Sequence, residues 1–288
     1  MKVTSLMSFT SNDALNNFIA YELIAEEDTP KKQVCKRLPD SGNHAAVAVK
    51  EVNTMLPYDA LQIPPACKVD KTIYKKMFYE NAALSAADRS LFANGIEKAT
   101  WLYCLKPETT HISPFCDDTR EYGEVEVLEI TLAADKGLRR MAEIAMRTIP
   151  YPMLLVFHLQ ENFQLWAAHL RNSQNDAAKC TLEEPVHTDW LTAESPLWQA
   201  LRLPGLRLGN MLTFYTDVVD VISIHNAQFI MHNSEDLTGE QARQLLAKQQ
   251  ATQAQIAALR ARLKKENQFN RKVEINLEIK RLEKEQIE

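Results

Sequence analysis

The sequence predicts an α/β fold of the mixed α+β kind: a mixed sheet flanked by helices and extended by a long C-terminal helical arm. Three observations carry that prediction. Between residues 100 and 171 the apolar residues fall into a strand, strand, helix, strand, strand order. The last 49 residues, Glu240 to Glu288, hold neither glycine nor proline and consist largely of Gln, Ala, Lys, Arg, Glu and Leu, a helical composition. At 288 residues, with 45% hydrophobic and 25% charged side chains, the chain can bury a sizeable core.

Residues 1–55 read as an N-terminal extension or small subdomain. Ser11 or Asp13 caps a short amphipathic helix through Leu15, Phe18, Ile19 and Leu23, and a polar loop and the strand-like AVAVKEV follow. Pro57, Pro64 and Pro65 then punctuate the entry to an α/β core domain, residues 56–235. Lys71 to Tyr79 and Ala86 to Lys98 have helical patterns, the second with Ser85 or Asp88 near its start. Thr100 to Lys106 is an apolar run ended by Pro107, and Glu124 to Leu132 is a second strand. In it Val125 and Val127 share one face while Leu128, Ile130 and Leu132 share the other. That predicts a central strand buried on both faces, or else a bulge near Val127. Ala134 to Ile149 has helical spacing, and Pro152 to Gln160 with Phe163 to Arg171 reads as a hairpin about Glu161-Asn162. After a short PLWQALR helix, Leu208 to His225 places Met211, Tyr215, Val218 and Ile222 at three- and four-residue steps, as a buried helix does.

The arm, residues 236–288, opens with Thr238 and Gln241 in a capping-box pattern. As one continuous helix it would reach roughly 70 Å. Ile256, Leu259 and Leu263, then Val273 and Leu277, fit parts of a heptad in which Glu266 and Asn270 fall inward. Beyond Phe269 a second stripe, Ile275, Ile279 and Leu282, lies on a different face, so the helix is expected to bury against two things. These nine apolar residues are the candidate partner-binding surface. Between them Arg260, Arg262, Lys264, Lys265, Arg271 and Lys272 face a single acid, Glu266. They are candidates for nucleic-acid phosphate contact, beside the alternatives of a solvated face or pairing with an acidic protein surface. The arm carries eleven Lys/Arg and seven Asp/Glu, net +4, which leaves −9 on residues 1–239 out of the total of −5.

Five cysteines without CxxC or zinc spacing read as reduced thiols, and neither a secretion leader nor an 18-residue apolar run occurs, so a cytoplasmic location without membrane contact is expected. No GxxxxGK[ST] or GxGxxG loop is present, and no cofactor is implied. A metal-dependent nuclease site needs carboxylates and a lysine two residues on. Asp117, Asp118, Glu124, Glu126 and Glu129 supply carboxylates, but Leu128 and Thr131 stand where the lysine would follow Glu126 and Glu129. His111 near Cys116 and Asp117 has no characteristic spacing, His158 and His169 read as cross-strand neighbours, and most of the tryptophans read as core. No catalytic residue and no metal ligand is assigned from sequence, and the chain reads as non-catalytic.

The TWLYCLKPETTHI stretch, the VEVLEI strand, the helix ending in IPYP and the terminal KKENQFNRKVEINLEIKRLEKE resemble the prokaryotic family known as domain of unknown function 4391, over roughly Asp59 to Glu288. Residues 1 to about 55 are an addition to the family's usual start. The resemblance implies no reaction; its members tend to be encoded beside helicases, DNA methyltransferases and restriction-type genes. The expectation is therefore an accessory or assembly subunit of an anti-phage defence or restriction-modification-type system. Its C-terminal helix would dock to a helicase, a methyltransferase or another copy of the chain, and the alternative is a DNA-binding or metal-dependent nuclease component of such a system.

Overall fold

The computed structural model describes residues 56–81, 84–172, 180–231 and 237–285. The expected helix through Leu15 and Phe18 and the AVAVKEV strand lie outside them. The mixed α+β expectation holds, with a six-stranded sheet in the order β1 (Lys68–Ile73), β2 (Ile96–Leu105), β5 (Val125–Leu132), β6 (Met153–Leu159), β7 (Asn162–Ala167) and β10 (Val186–His187). Two-residue strands β3 (Phe115–Cys116) and β4 (Glu121–Tyr122) pair in the loop between β2 and β5, and β8 (Leu170–Asn172) pairs with β9 (Cys180–Leu182).

Every pairing in the large sheet is antiparallel except β5 with β6. A parallel pair needs a crossover, and the helix Leu138–Thr148 supplies it. Helices Lys75–Asn81 (α1), Ala86–Gly95 (α2) and the short Pro107–Thr110 (α3) precede this crossover helix, α4. Pro196–Ala200 (α5) and Met211–Met231 (α6) follow it. β5 is the central strand, buried on both faces as its change of phase predicted. Leu128, Ile130 and Leu132 face α1, α2 and α4 in a cluster with Phe78, Phe92, Met141 and Ala145. Val125 and Val127 face α5 and α6 through Trp198, Phe214, Val218 and Ile222. Two apolar faces on one sheet give a three-layer core.

Several boundaries differ from expectation for local reasons. Lys68–Ile73 is a strand, because pairing with β2 overrides the helical pattern read from Lys71 onward. The helix expected to Lys98 ends at Gly95, and Ile96 is already extended (φ −109°, ψ 127°). The hairpin forms, but Leu159 pairs with Asn162, so its turn is Gln160-Glu161 with Gln160 left-handed at φ 57°. His158 pairs with and stacks on Phe163 (ring centroids 4.5 Å), whereas His169 Nδ1 lies 2.8 Å from Tyr122 Oη, so the two histidines are not cross-strand neighbours.

The expected continuous arm is two helices. α7 (Gly239–Lys265) starts with the predicted Thr238–Gln241 capping box and packs along α6; α8 (Phe269–Glu285) folds back on α7. Glu266 takes an extended conformation (φ −74°, ψ 136°), and its Oε1 accepts from the Asn267 and Gln268 amides at 2.8 and 2.9 Å. The polar segment that reads as an interrupted seam is therefore a turn, with a carboxylate satisfying donors at the start of α8. Close approach marks the other end of α7, where a Cβ on Gly239 would overlap the Asp220 carboxylate of α6.

Candidate functional site

β2 and β5 bring together four polar side chains that the sequence separates. Their register sets Cys104 opposite Glu126, and one step outward Lys106 and Glu124 face each other beyond the last paired residues, Leu105 and Val125. Residues two apart on a strand share a face. All four therefore project toward the α4 side, at the end of β2 and the start of β5. A register shift between Trp101 and Tyr103 marks a bulge beside the cluster, and Glu126 N is anchored to Pro152 O at 2.9 Å. Pro152 closes the IPYP turn into β6, so that rigid turn holds the base of the site.

The contacts are short and nearly dry. Cys104 Sγ lies 3.2 Å from Glu126 Oε1 and 3.6 Å from Glu124 Oε2, and Lys106 Nζ lies 3.6 Å from Glu124 Oε2. Trp101 Nε1 donates to Glu126 Oε2 and to Tyr103 O. Glu126 is fully buried, and Glu124 and Cys104 are 3% and 4% exposed. Lys106 is the outlet, with 23% of its side chain exposed.

Burial in this setting shifts the titrations. Desolvation, then the Glu124 charge, pushes the Glu126 carboxyl up to about 8, against the Cys104, Trp101 and Lys106 interactions that favour its ionised form. Desolvation and the two carboxylates drive the Cys104 thiol far above its ordinary range. Lys106 is pulled down by desolvation, yet ends raised because Cys104, Glu124 and Glu126 face it. The Tyr151 phenol, from the IPYP turn, is raised to about 12 by burial and then by Glu124 and Glu126. Near neutral pH, Glu126 therefore holds a proton where a cation would otherwise balance the site.

One ligand atom from each of Cys104, Glu124 and Glu126 lies within 4.8 Å of the others, and among the described residues this is the cluster with metal-ligand spacing. Two hard carboxylates and one soft thiol suit a borderline divalent cation such as Zn²⁺, with the harder Mn²⁺ held mainly through the carboxylates. Coordination would displace the thiol and carboxyl protons.

The residues singled out in the sequence fall elsewhere. Asp117 is exposed and caps its own turn, accepting from Thr119 N and Arg120 N at 2.7 Å each. Glu129 sits on the opposite face of β5 from Glu126, accepting from Tyr58 Oη and lying 3.6 Å from His158 Nδ1. Asp117, Glu126 and Glu129 therefore form no common site. A lysine does reach this cluster from just past the end of β2, where Lys106 Nζ lies 3.6 Å from Glu124 Oε2. His111 occupies the left-handed position that ends α3. Trp101, Trp166 and Trp198 are buried in the cores, as read from their apolar contexts.

In the arm, Ile256, Ile275, Ile279 and Leu282 form a buried seam with Leu259 and Leu263 packed against it, so six of the nine candidate partner residues are engaged within the chain. The other three, Phe269, Val273 and Leu277, are 78%, 42% and 63% exposed along one side of α8. The three-residue break resets the helical phase, which is why Val273 and Leu277 do not continue the stripe from Ile256. Arg262, Lys264 and Lys265 close α7, and Arg271 and Lys272 open α8, so the basic residues gather round one tip, whereas Arg260 pairs with Glu283 at 2.6 Å.

A separate cleft of about 1010 Å³ lies between β10, α6 and α7, with His187, His225, Trp190 and Leu246 in its lining. Two of its acids are already engaged: Glu184 with Arg139 and Gln250, and Glu183 with Arg120. Among the described residues no helix is long and apolar enough to cross a membrane.

The model of a family described as a domain of unknown function (DUF4391) matches residues 61–285. No curated protein matches the chain, and no solved structure does.

Proposed function

We propose that this chain, which belongs to the domain of unknown function 4391 family, is a divalent-cation-dependent phosphodiester hydrolase, a nuclease-type component of a cytoplasmic DNA-processing or anti-phage system. The observation that carries this is the convergence of Cys104, Glu124 and Glu126 within 4.8 Å, with Lys106 beside them. An ion held there would supply Lewis acidity and a bound water of lowered pKa. Glu124 and Glu126 would be its main ligands, and Cys104 the third. Lys106 is the group at the partly exposed rim, placed to hold a phosphate oxygen by charge. Trp101 and the Pro152 carbonyl fix the Glu126 side chain and backbone, so the acid is oriented before any ion arrives.

The test is incubation of the folded chain with single- and double-stranded DNA and RNA in Mn²⁺, Mg²⁺ or Zn²⁺. Glu126→Gln, Glu124→Gln and Lys106→Ala serve as controls. Cleavage that disappears in Glu126→Gln supports the reading; a folded chain inert toward all four substrates with every cation rejects it.

A second reading is favoured by a different observation, the exposed Phe269, Val273 and Leu277 stripe on α8. Under it the chain is a non-catalytic accessory or assembly subunit, docking through α8 to a helicase, a DNA methyltransferase or another copy of itself, and the four-residue cluster is a satisfied buried network. Co-purification of such a partner with the native chain but not with Leu277→Lys, together with an inert cluster, selects this reading.

A further inference from the structure

α8 has two apolar faces, and the fold fills only one. Ile275, Ile279 and Leu282 close on α7, while Phe269, Val273 and Leu277 stay outward at steps of four. Such a series on one side of a helix is what a second helix packs against. Lys280 and Lys284 prolong the stripe, with Lys272 and Arg281 along its borders beside two acids, Glu274 and Glu283, the second of which is paired with Arg260 of α7. The open face is thus apolar toward its N-terminal end and basic toward its C-terminal end.

The chain carries a segment of matching pattern. Leu15, Ile19 and Leu23 recur at the same two steps of four, with Phe18 beside them. Glu26 stands three residues beyond Leu23, as Lys280 stands three beyond Leu277. From Val3 to Pro30 there is no lysine or arginine, and the acids Asp13, Glu22, Glu26, Glu27 and Asp28 gather mostly at the segment's C-terminal end. Laid parallel to α8, the segment sets Leu15, Ile19 and Leu23 beside Phe269, Val273 and Leu277, and Glu26 beside Lys280. An antiparallel arrangement would put the acids against Phe269. The stretch from Thr29 to Met55 spans up to about 90 Å when extended, enough to return to Leu56 from any point on the domain.

We propose that the open face of α8 is the docking site of the chain's own residues 11–28, bound as a parallel amphipathic helix. The inference is independent of the metal-site reading. It bears on the second reading, since a partner protein seeking this face would have to displace the segment.

The test uses the full chain with p-benzoylphenylalanine in place of Leu277. Irradiation is expected to give a product of single-chain mass in which residue 277 is joined to the 11–28 peptide. Lys280→Glu should lower the yield roughly two- to fivefold, the scale of one surface ion pair, and Glu26→Lys added to it should restore the yield. Absence of a join to residues 11–28, a join found only in a product of two-chain mass, or failure of the double charge reversal to restore the yield would each overturn the proposal.

Discussion

Cys104 and Glu126 face each other across β2 and β5, with the thiol sulfur 3.2 Å from the carboxyl oxygen and both side chains closed off from solvent. Because desolvation raises the Glu126 carboxyl to about 8, the folded chain keeps a proton there that the unfolded chain releases in the ordinary carboxylate range. That contribution to stability is complete below the unfolded value and is lost as pH rises through about 8. Without added metal, melting temperature should therefore fall between pH 5 and pH 9. Glu126→Gln, neutral at every pH, should flatten that slope and melt above the parent at the alkaline end. Parallel slopes in thermal scans of the two proteins would refute the assignment.

Burial sets the order of thiol reactivity. Cys104 is buried and its thiol is driven upward by burial and by Glu126 and Glu124, whereas Cys116 is exposed. Iodoacetamide at pH 8 should label Cys116 in the native protein and reach Cys104 only after unfolding, as peptide mapping over a time course can read.

Tyr215 is fully buried on α6, where its hydroxyl meets Met153 O at 2.7 Å, Ala168 O at 3.0 Å and Ala168 N at 3.1 Å. One hydroxyl thus ties α6 to the start of β6 and to the end of β7. Tyr215→Phe strands the Ala168 amide without a partner and should cost about 1–3 kcal/mol in denaturant unfolding. An unchanged midpoint would show that water replaces the bond.

Arg140 on α4 grips Asp88 on α2 through two bonds of 2.8 and 2.9 Å, while Ser85 completes the capping box. The Arg140 and Ser85 hydrogen bonds hold the Asp88 carboxyl well below the usual carboxylate range. A depressed acid stabilises above its unfolded value and loses that contribution as pH falls. Asp88→Ala should lower the melting temperature at pH 7, and the gap from the parent should narrow as the pH is taken down from about 5.

The α7–α8 seam is a small satellite core of Ile256, Ile275, Ile279 and Leu282. Ile279→Asp should release α8 without unfolding the sheet, seen as new tryptic cuts after residue 265 while the near-ultraviolet spectrum of the buried tryptophans persists. Loss of that spectrum would mean that the hairpin is an integral part of the core.

Local pattern disclosed much of this structure. Alternation in β5 marked it as a central strand, and the spacing from Met211 to Ile222 marked α6 as buried, because periodicity reports burial directly. The Thr238–Gln241 cap was legible because both partners are three residues apart. The four-residue cluster was not legible, since Cys104 and Lys106 meet Glu126 and Glu124 only through a cross-strand register that one sequence does not contain. The available hint was a pair of polar residues two apart on each of two successive apolar strands. The break at Glu266 was missed for another reason: a segment without glycine or proline still turned, because a glutamate carboxylate could satisfy the freed amides.

The most direct measurement of the central claim is titration of Mn²⁺ into the metal-free chain, followed by calorimetry and by the loss of the free-ion electron paramagnetic resonance signal. One ion per chain is expected, bound more tightly at pH 9 than at pH 6 because Glu126 and Cys104 must shed their protons, and lost in Glu124→Gln and Glu126→Gln variants that still melt cooperatively. A folded chain that takes up no ion at millimolar Mn²⁺, or one whose binding is the same in Glu126→Gln, would contradict it.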